Sequence, residues 1–268
     1  MMRNIWRAVY PLIIMMLLNF LALPIAQVMF VIVGGDIHEF DDMNLYYIVS
    51  VFIGIVSFAI FFLMWRRINR SCSKFTGGRL TIISILLIIG FSLGVSFLIN
   101  NFIMAFGILN LSPELQDAVT STKDANLILR VVVIGLMAPV IEEFCFRGVI
   151  FNRMYTWMPK WVAVVFSSLA FAVMHMNVLQ GIITFISGIL LAIIYIKYKT
   201  LWAPIILHLI NNLYSIFASM ILNHIGINIP YWVLLLFGLV LTVIFTWLLF
   251  GHKILKVNKI NMERKDLT

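Results

Sequence analysis

The chain has 268 residues, of which 63% are hydrophobic and 11% charged, with a mean hydropathy of +1.06. A soluble domain averages about 45–50% apolar and about 25% charged residues, and a core of this size cannot hide so much apolar surface, so the solvent around the fold is lipid. The net charge of +8 sits in loops and tail between apolar runs, the pattern of a membrane protein facing an anionic leaflet; a soluble enzyme, a nucleic-acid-binding domain and a disordered chain are excluded.

Eight apolar runs follow in order: 9–33, 45–65, 80–111, 131–151, 161–179, 181–196, 201–222 and 231–250. A spanning helix needs about 20 residues. The pattern predicts an all-α, polytopic bundle of about eight spans forming a single membrane domain over 1–268. Its catalytic core covers about 131–214, with three N-terminal spans in 9–111 and a C-terminal span with basic tail over 231–268. The run 80–111 is long enough to tilt or to continue as an outer helix. The runs 161–179 and 181–196 are parted by little more than the stretch from His175 to Gln180. The first run is too long for a signal-peptide core and lacks a small-residue cleavage site, so no cleaved leader is expected.

Loop charges set the orientation. On one side lie Arg3 and Arg7, then Arg66, Arg67, Arg70, Lys74 and Arg79, then Arg153 and Lys160, then Lys197 and Lys199, then Lys253, Lys256, Lys259, Arg264 and Lys265. The other side has only Lys123 and Arg130, with Asp36, Glu39, Asp41, Asp42, Glu114, Asp117 and Asp124. Eight spans with both termini in the cytoplasm produce this alternation. The tail from Gly251 reads as a solvated basic segment touching anionic lipid.

Ionisable residues inside apolar runs cost about 2.5–3.5 kcal/mol each at a span centre and mark function. The fourth run holds Glu142, Glu143 and Arg147. Glu143 and Arg147 are spaced i, i+4 with the acid first, the better order for a helical ion pair. That pairing leaves Glu142, turned about 100° around the helix, as an uncompensated carboxylate. The bland readings are a cytoplasmic loop starting after Ile141, which would expose Phe144, Phe146 and Phe151, or a structural ion cluster. Two further runs carry His175 and His208. Asn212 shares the face of His208, and Phe171 shares that of His175. Buried polar groups need partners, so these groups are expected to face one cavity. His38, His224 and His252 lie at loop ends and are given no role.

This set suits amide hydrolysis: Glu142 deprotonates a water, His175 helps to orient it, and His208 with Asn212 donates to the oxyanion. The competing version is zinc held by Glu142, His175 and His208, a His₂Glu set with water in the fourth position. A proton-coupled transporter built on a carboxylate–histidine relay and a non-catalytic scaffold binding a signalling or secretion partner are the other classes. Cys145, in an apolar setting, is not expected to be a nucleophile, and no disulfide with the distant Cys72 is expected.

In this order the motifs Glu142-Glu143-x-x-x-Arg147, Phe171-x-x-x-His175 and His208-x-x-x-Asn212 resemble those of the CPBP (Abi, or CAAX-protease-like) family of intramembrane endopeptidases, over about 131–214. The resemblance implies an all-helical membrane protease with a cavity open to the cytosol. Its substrates would be membrane-associated, prenylated or CAAX-like proteins or peptides, and links to bacteriocin immunity come with it. Family members have carried a metalloprotease label, but the resemblance implies a glutamate-activated water with no cofactor. Glu142 is then the base, His175 its partner, His208 and Asn212 the oxyanion site, and Glu143 and Arg147 supporting residues. A bacterial plasma membrane is the expected location.

Depth leaves one tension. Counted at about 1.5 Å per residue from the cytosolic ends, Glu142 and His175 lie about 20 Å deep and His208 only about 10 Å. The seventh helix is therefore expected to begin nearer Tyr195, or to break or tilt at Pro204.

Overall fold

The computed structural model describes residues 2–36, 42–71, 77–225 and 229–265. His38, Glu39, Asp41, Cys72 and Lys74, together with the side chains of His224, His252 and the basic tail, lie outside the described residues. Among the described residues every regular element is a helix. Helix α1 is Met2–Ile32, α2 Met43–Ser71, α3 Ile82–Ala105 and α4 Pro113–Asp124. One continuous helix, α5, runs through 127–155. Then come α6 Lys160–Val173, α7 Val178–Tyr198, α8 Trp202–Ile225 and α9 Tyr231–Lys265.

Five of these, within α1, α2, α3, α7 and α9, are long and apolar enough to cross a membrane, while α6 and the apolar part of α8, Trp202–Ala218, are shorter. Large apolar side chains such as Phe20, Phe52, Leu86, Phe166 and Trp247 are exposed, as in a multi-pass membrane protein whose outer surface meets lipid.

Sequence chemistry explains the boundaries. Asp42 accepts from the backbone N–H groups of Asn44 and Leu45 at the start of α2, each at 3.0 Å. Thr81 caps α3, Ser112 with Pro113 opens α4, Asn126 caps α5 and Asn177 caps α7. Each side chain supplies an acceptor to an orphan N–H of the first turn. The run 80–111 is not one tilted span: α3 stops at Ala105, and Gly107 takes a left-handed φ of 60° before a 3₁₀ turn and the amphipathic α4. The backbone of the basic tail does not fray after Gly251 but prolongs α9 to Lys265.

Helix α5 changes register along its length. Residues Val131–Met137 and Phe144–Phe151 are π-helical, and Ala138–Glu143 between them is α-helical. The helical φ/ψ values at Arg130, Ala138, Glu143 and Asn152 keep it unbroken. π-Turns are rare and concentrate at functional sites. Pro139 has no N–H to give, and the N–H of Ala138 goes to Val133. The carbonyl of Ile134 therefore has no backbone donor in either register, and a polar side chain must reach it.

Helix α5, its π-helical segments included, packs against α1, α2, α6 and α8; α3 lies between α8 and α9. The α3–α9 crossing is close because Gly90 and Gly94 of α3 and Gly238 of α9 carry no side chain. A Cβ on Gly94 would lie 2.7 Å from the Thr242 backbone N, and one on Gly238 2.5 Å from that of Leu98. Gly90 and Gly94 form the small-x-x-x-small spacing that lets helices approach in lipid.

Candidate active site

Glu142 and Glu143 end the α-helical stretch of α5, and Arg147 lies in the π-helical segment after it. Glu143 and Arg147 are completely buried, 2.7 Å apart. The guanidinium also donates to the carbonyl of Gly188 on α7 at 2.9 Å and lies 4.9 Å from the centroid of the Phe171 ring. Gly188 packs where a Cβ would sit 3.0 Å from that of Ser168, so the absence of a side chain lets α6 and α7 close around Arg147. A buried ion pair this dry holds only when further hydrogen bonds satisfy it.

His208, on the second turn of α8, joins the pair. Its Nδ1 is 3.0 Å from Glu143 Oε1, the oxygen already held by Arg147. A carboxylate only accepts, so Nδ1 carries the proton and donates. Its Nε2 is 3.7 Å from Glu142 Oε2, too long for a direct hydrogen bond. Glu142 itself is 19% exposed and lines a cavity of about 240 Å³ between α1, α2 and α5, with Asn19, Tyr46, Ser50 and Ser57 on its far wall. The two glutamates thus divide: Glu143 faces the sealed ion cluster and Glu142 the open space. Cys145 is fully buried and free and does not line the cavity.

The depth tension disappears in the packing. A Cβ on Gly148 would touch Leu201 Cδ1 at 3.3 Å, so the start of α8 is level with Gly148, not with the end of α5. From that level Glu142 is six residues up one helix and His208 seven up the other. Helix α8 begins at Trp202 rather than near Tyr195, and Pro204 falls in its first turn, where proline fits without a kink.

His175 is placed differently from a mid-span residue. Helix α6 ends at Val173, and His175 stands on the turn before α7, next to Met176 with its left-handed φ of 53°. Its Nδ1 donates to the Phe171 carbonyl at 3.0 Å. It meets the cluster through Phe171, whose ring lies 5.1 Å from His175 and 5.6 Å from His208. Asn212 donates its amide to the orphaned Ile134 carbonyl at 2.8 Å. Among the described residues no three His, Cys, Asp or Glu side chains come together as metal ligands. The set Glu142, His175 and His208 is not gathered as zinc ligands, because His175 stands apart; the Nδ1–H bond to Glu143 leaves His208 Nε2 free, as in a ligating histidine.

Sequence reasoning passed over one network. Ser92 and Ser96 of α3 both donate to Asn211 Oδ1 at 2.7 Å, and Ser92 also sits 2.8 Å from the Leu207 carbonyl. These bonds fix the turn of α8 that carries His208. The signal was the i, i+4 serine pair inside an apolar run, facing an Asn beside the histidine motif. Asn19, Ser50 and Ser57 were equally silent, since isolated small polar residues in a span carry no pattern.

Residues 124–214 match the family described as "Type II CAAX prenyl endopeptidase Rce1-like". The chain is also 27% identical over 92 residues to "Putative membrane peptidase YdiL" of Bacillus subtilis (strain 168). That match covers 34% of this chain and 38% of the relative, so well under two thirds of the relative's length is spanned. No solved structure matches.

Proposed function

We propose, from the likeness of segment 124–214 to the CPBP (CAAX-protease-like) family, that the chain is an intramembrane endopeptidase. It hydrolyses peptide bonds of membrane-associated protein or peptide substrates, prenylated CAAX-like ones included. The observation that carries the reading is the division of the two glutamates, one locked to Arg147 and one opening on a cavity beside His208.

A water resting between Glu142 Oε2 and His208 Nε2 touches both across their 3.7 Å separation. Glu142 takes its proton, the hydroxide attacks the substrate carbonyl, and Glu142 returns the proton to the leaving amine as the C–N bond breaks. The Glu143–Arg147 pair holds His208 in one tautomer and orientation throughout. The oxyanion role of Asn212 rests on the second hydrogen of its amide, since the first is given to Ile134. His175 acts across the Phe171 ring, at the outer rim of the site. The substrate enters the cavity between α1, α2 and α5, while the bilayer holds its membrane anchor. The proposal includes eight spans, with α5, α6 and α8 added to the five long helices, and both termini in the cytoplasm.

The test is cleavage of a reporter peptide by the full chain in detergent. Glu142→Gln keeps the shape and removes the base, so the rate should fall about 10²–10⁴-fold with an unchanged melting temperature. A variant that cleaves as well as the wild type, or a wild type that cleaves nothing, overturns the proposal.

A further inference from the structure

A second cavity, of about 660 Å³, opens where α1 begins and where α2 and α5 end. Four arginines line it: Arg3 and Arg7 from α1, Arg67 from α2 and Arg153 from α5. Trp6 and Trp157 complete its walls, and no Asp or Glu is among its lining residues. It lies at the opposite end of α1 and α2 from the turns that carry Asp36 and Asp42, about 11 residues along α5 from Glu142 and so roughly 16 Å away.

Like charges around one cavity repel one another, and Arg3, Arg7 and Arg153 have no carboxylate partner among the described residues. One of the four is held in place. Arg153 donates to the Arg7 carbonyl at 2.5 Å and to the Tyr10 hydroxyl at 2.7 Å, with its guanidinium 4.8 Å from the Tyr10 ring centroid. The site therefore has a fixed cation braced between α5 and α1, with three more around it. Guanidinium forks match phosphate oxygens in pairs. The indole of Trp6 is 60% exposed, beside exposed Met2 and Ile5, which is the setting of an aromatic residue at the lipid headgroup level. Basic pockets between membrane helices on the cytoplasmic side take anionic headgroups.

We infer that this cavity binds the phosphate of an anionic phospholipid headgroup, with the acyl chains lying along the exposed apolar face of α1. The bound phosphate would clamp the start of α1 and the ends of α2 and α5, the three helices that also enclose the Glu142 cavity. The inference is independent of peptidase activity, because it is read as binding.

The experiment uses the full chain in a zwitterionic detergent, with native mass spectrometry and thermal melting as readouts. Short-chain phosphatidylglycerol, phosphatidylcholine and inorganic phosphate are the probes. Phosphatidylglycerol should bind at least about 10-fold more tightly than phosphatidylcholine and should raise the melting temperature. In Arg3→Gln/Arg7→Gln, whose side chains do not brace Arg153, the binding of phosphatidylglycerol should weaken about 10-fold or more. Equal binding of the two lipids by the wild type overturns the inference, whatever the variants do. Inorganic phosphate binding as tightly as phosphatidylglycerol makes the site one for soluble anions and overturns its lipid part. Should the double variant fold poorly, Arg67→Gln repeats the comparison, and undiminished phosphatidylglycerol binding in a folded variant counts against the site.

Discussion

Arg147 shows how much rests on one side chain. It is fully buried, yet it reaches Glu143, the Gly188 carbonyl and the Phe171 ring at once. Removing one partner of such a pair leaves the other charge uncompensated, at a cost of about 3–5 kcal/mol. Arg147→Ala should therefore lower the melting temperature markedly and lose activity together with stability. A variant that melts like the wild type would show that Glu143 does not depend on it. The ion pair was legible from its i, i+4 spacing in an apolar run. What the spacing could not reveal is that His208 gives its Nδ1 proton to the same glutamate oxygen, since that contact joins residues 65 apart. His175 misled for a different reason. The break was expected between His175 and Gln180 and falls there, but hydropathy does not show that His175 itself leaves the helix beside a Met176 of positive φ.

Among the elements, the crossing of α3 and α9 is held by absent side chains. A Cβ on Gly238 would meet the backbone of Phe97 and Leu98 at 2.5–2.9 Å, and backbone cannot step aside as a rotamer can. Gly238→Leu should destabilise the fold by about 1–3 kcal/mol or more, read as a lower melting temperature in detergent. It should also loosen α3, whose Ser92 and Ser96 steady the His208 turn through Asn211. A fully active, equally stable Gly238→Leu would mean that the helices separate at no cost. The depth mismatch also belongs to this scale. Counting each helix from its own end assumes that all begin in one plane, whereas α5 runs past the start of α8 from Gly148 to Tyr155. Run lengths cannot reveal such an offset; the contact between Gly148 and Leu201 does.

For the whole molecule, composition alone dictated a helical membrane protein, because lipid leaves backbone groups no partner outside a helix or a closed barrel. Basic residues near span ends set the expected orientation. With Cys72→Ser as background, Asp117→Cys on α4 should react with a membrane-impermeant maleimide in intact cells, and Arg79→Cys only after permeabilisation. Both positions are exposed at the described surface. The reverse pattern would invert the fold in the bilayer. Five helices are long and apolar enough to span, and the other three of the expected eight fall on shorter or composite helices. Helix α5 is a chain of short α and π segments, and α6 has only 14 residues.

The bond between Asn212 and Ile134 has a genetic consequence. The carbonyl needs Asn212 because residue 139 is a proline, so the two side chains form one inheritance unit although they lie on different helices. Asn212→Ala alone strands a half-buried acceptor, worth about 1 kcal/mol or more, and should lower the melting temperature. Pro139→Ala in the same chain restores an N–H five residues after Ile134 and should recover most of that loss, a second-site suppressor with a positive coupling energy. A selection for stable protein from the Asn212→Ala background should therefore return changes at Pro139. If suppressed protein regains its stability but not its cleavage rate, Asn212 serves the reaction as well as the helix. If it regains both, its service is to Pro139 alone.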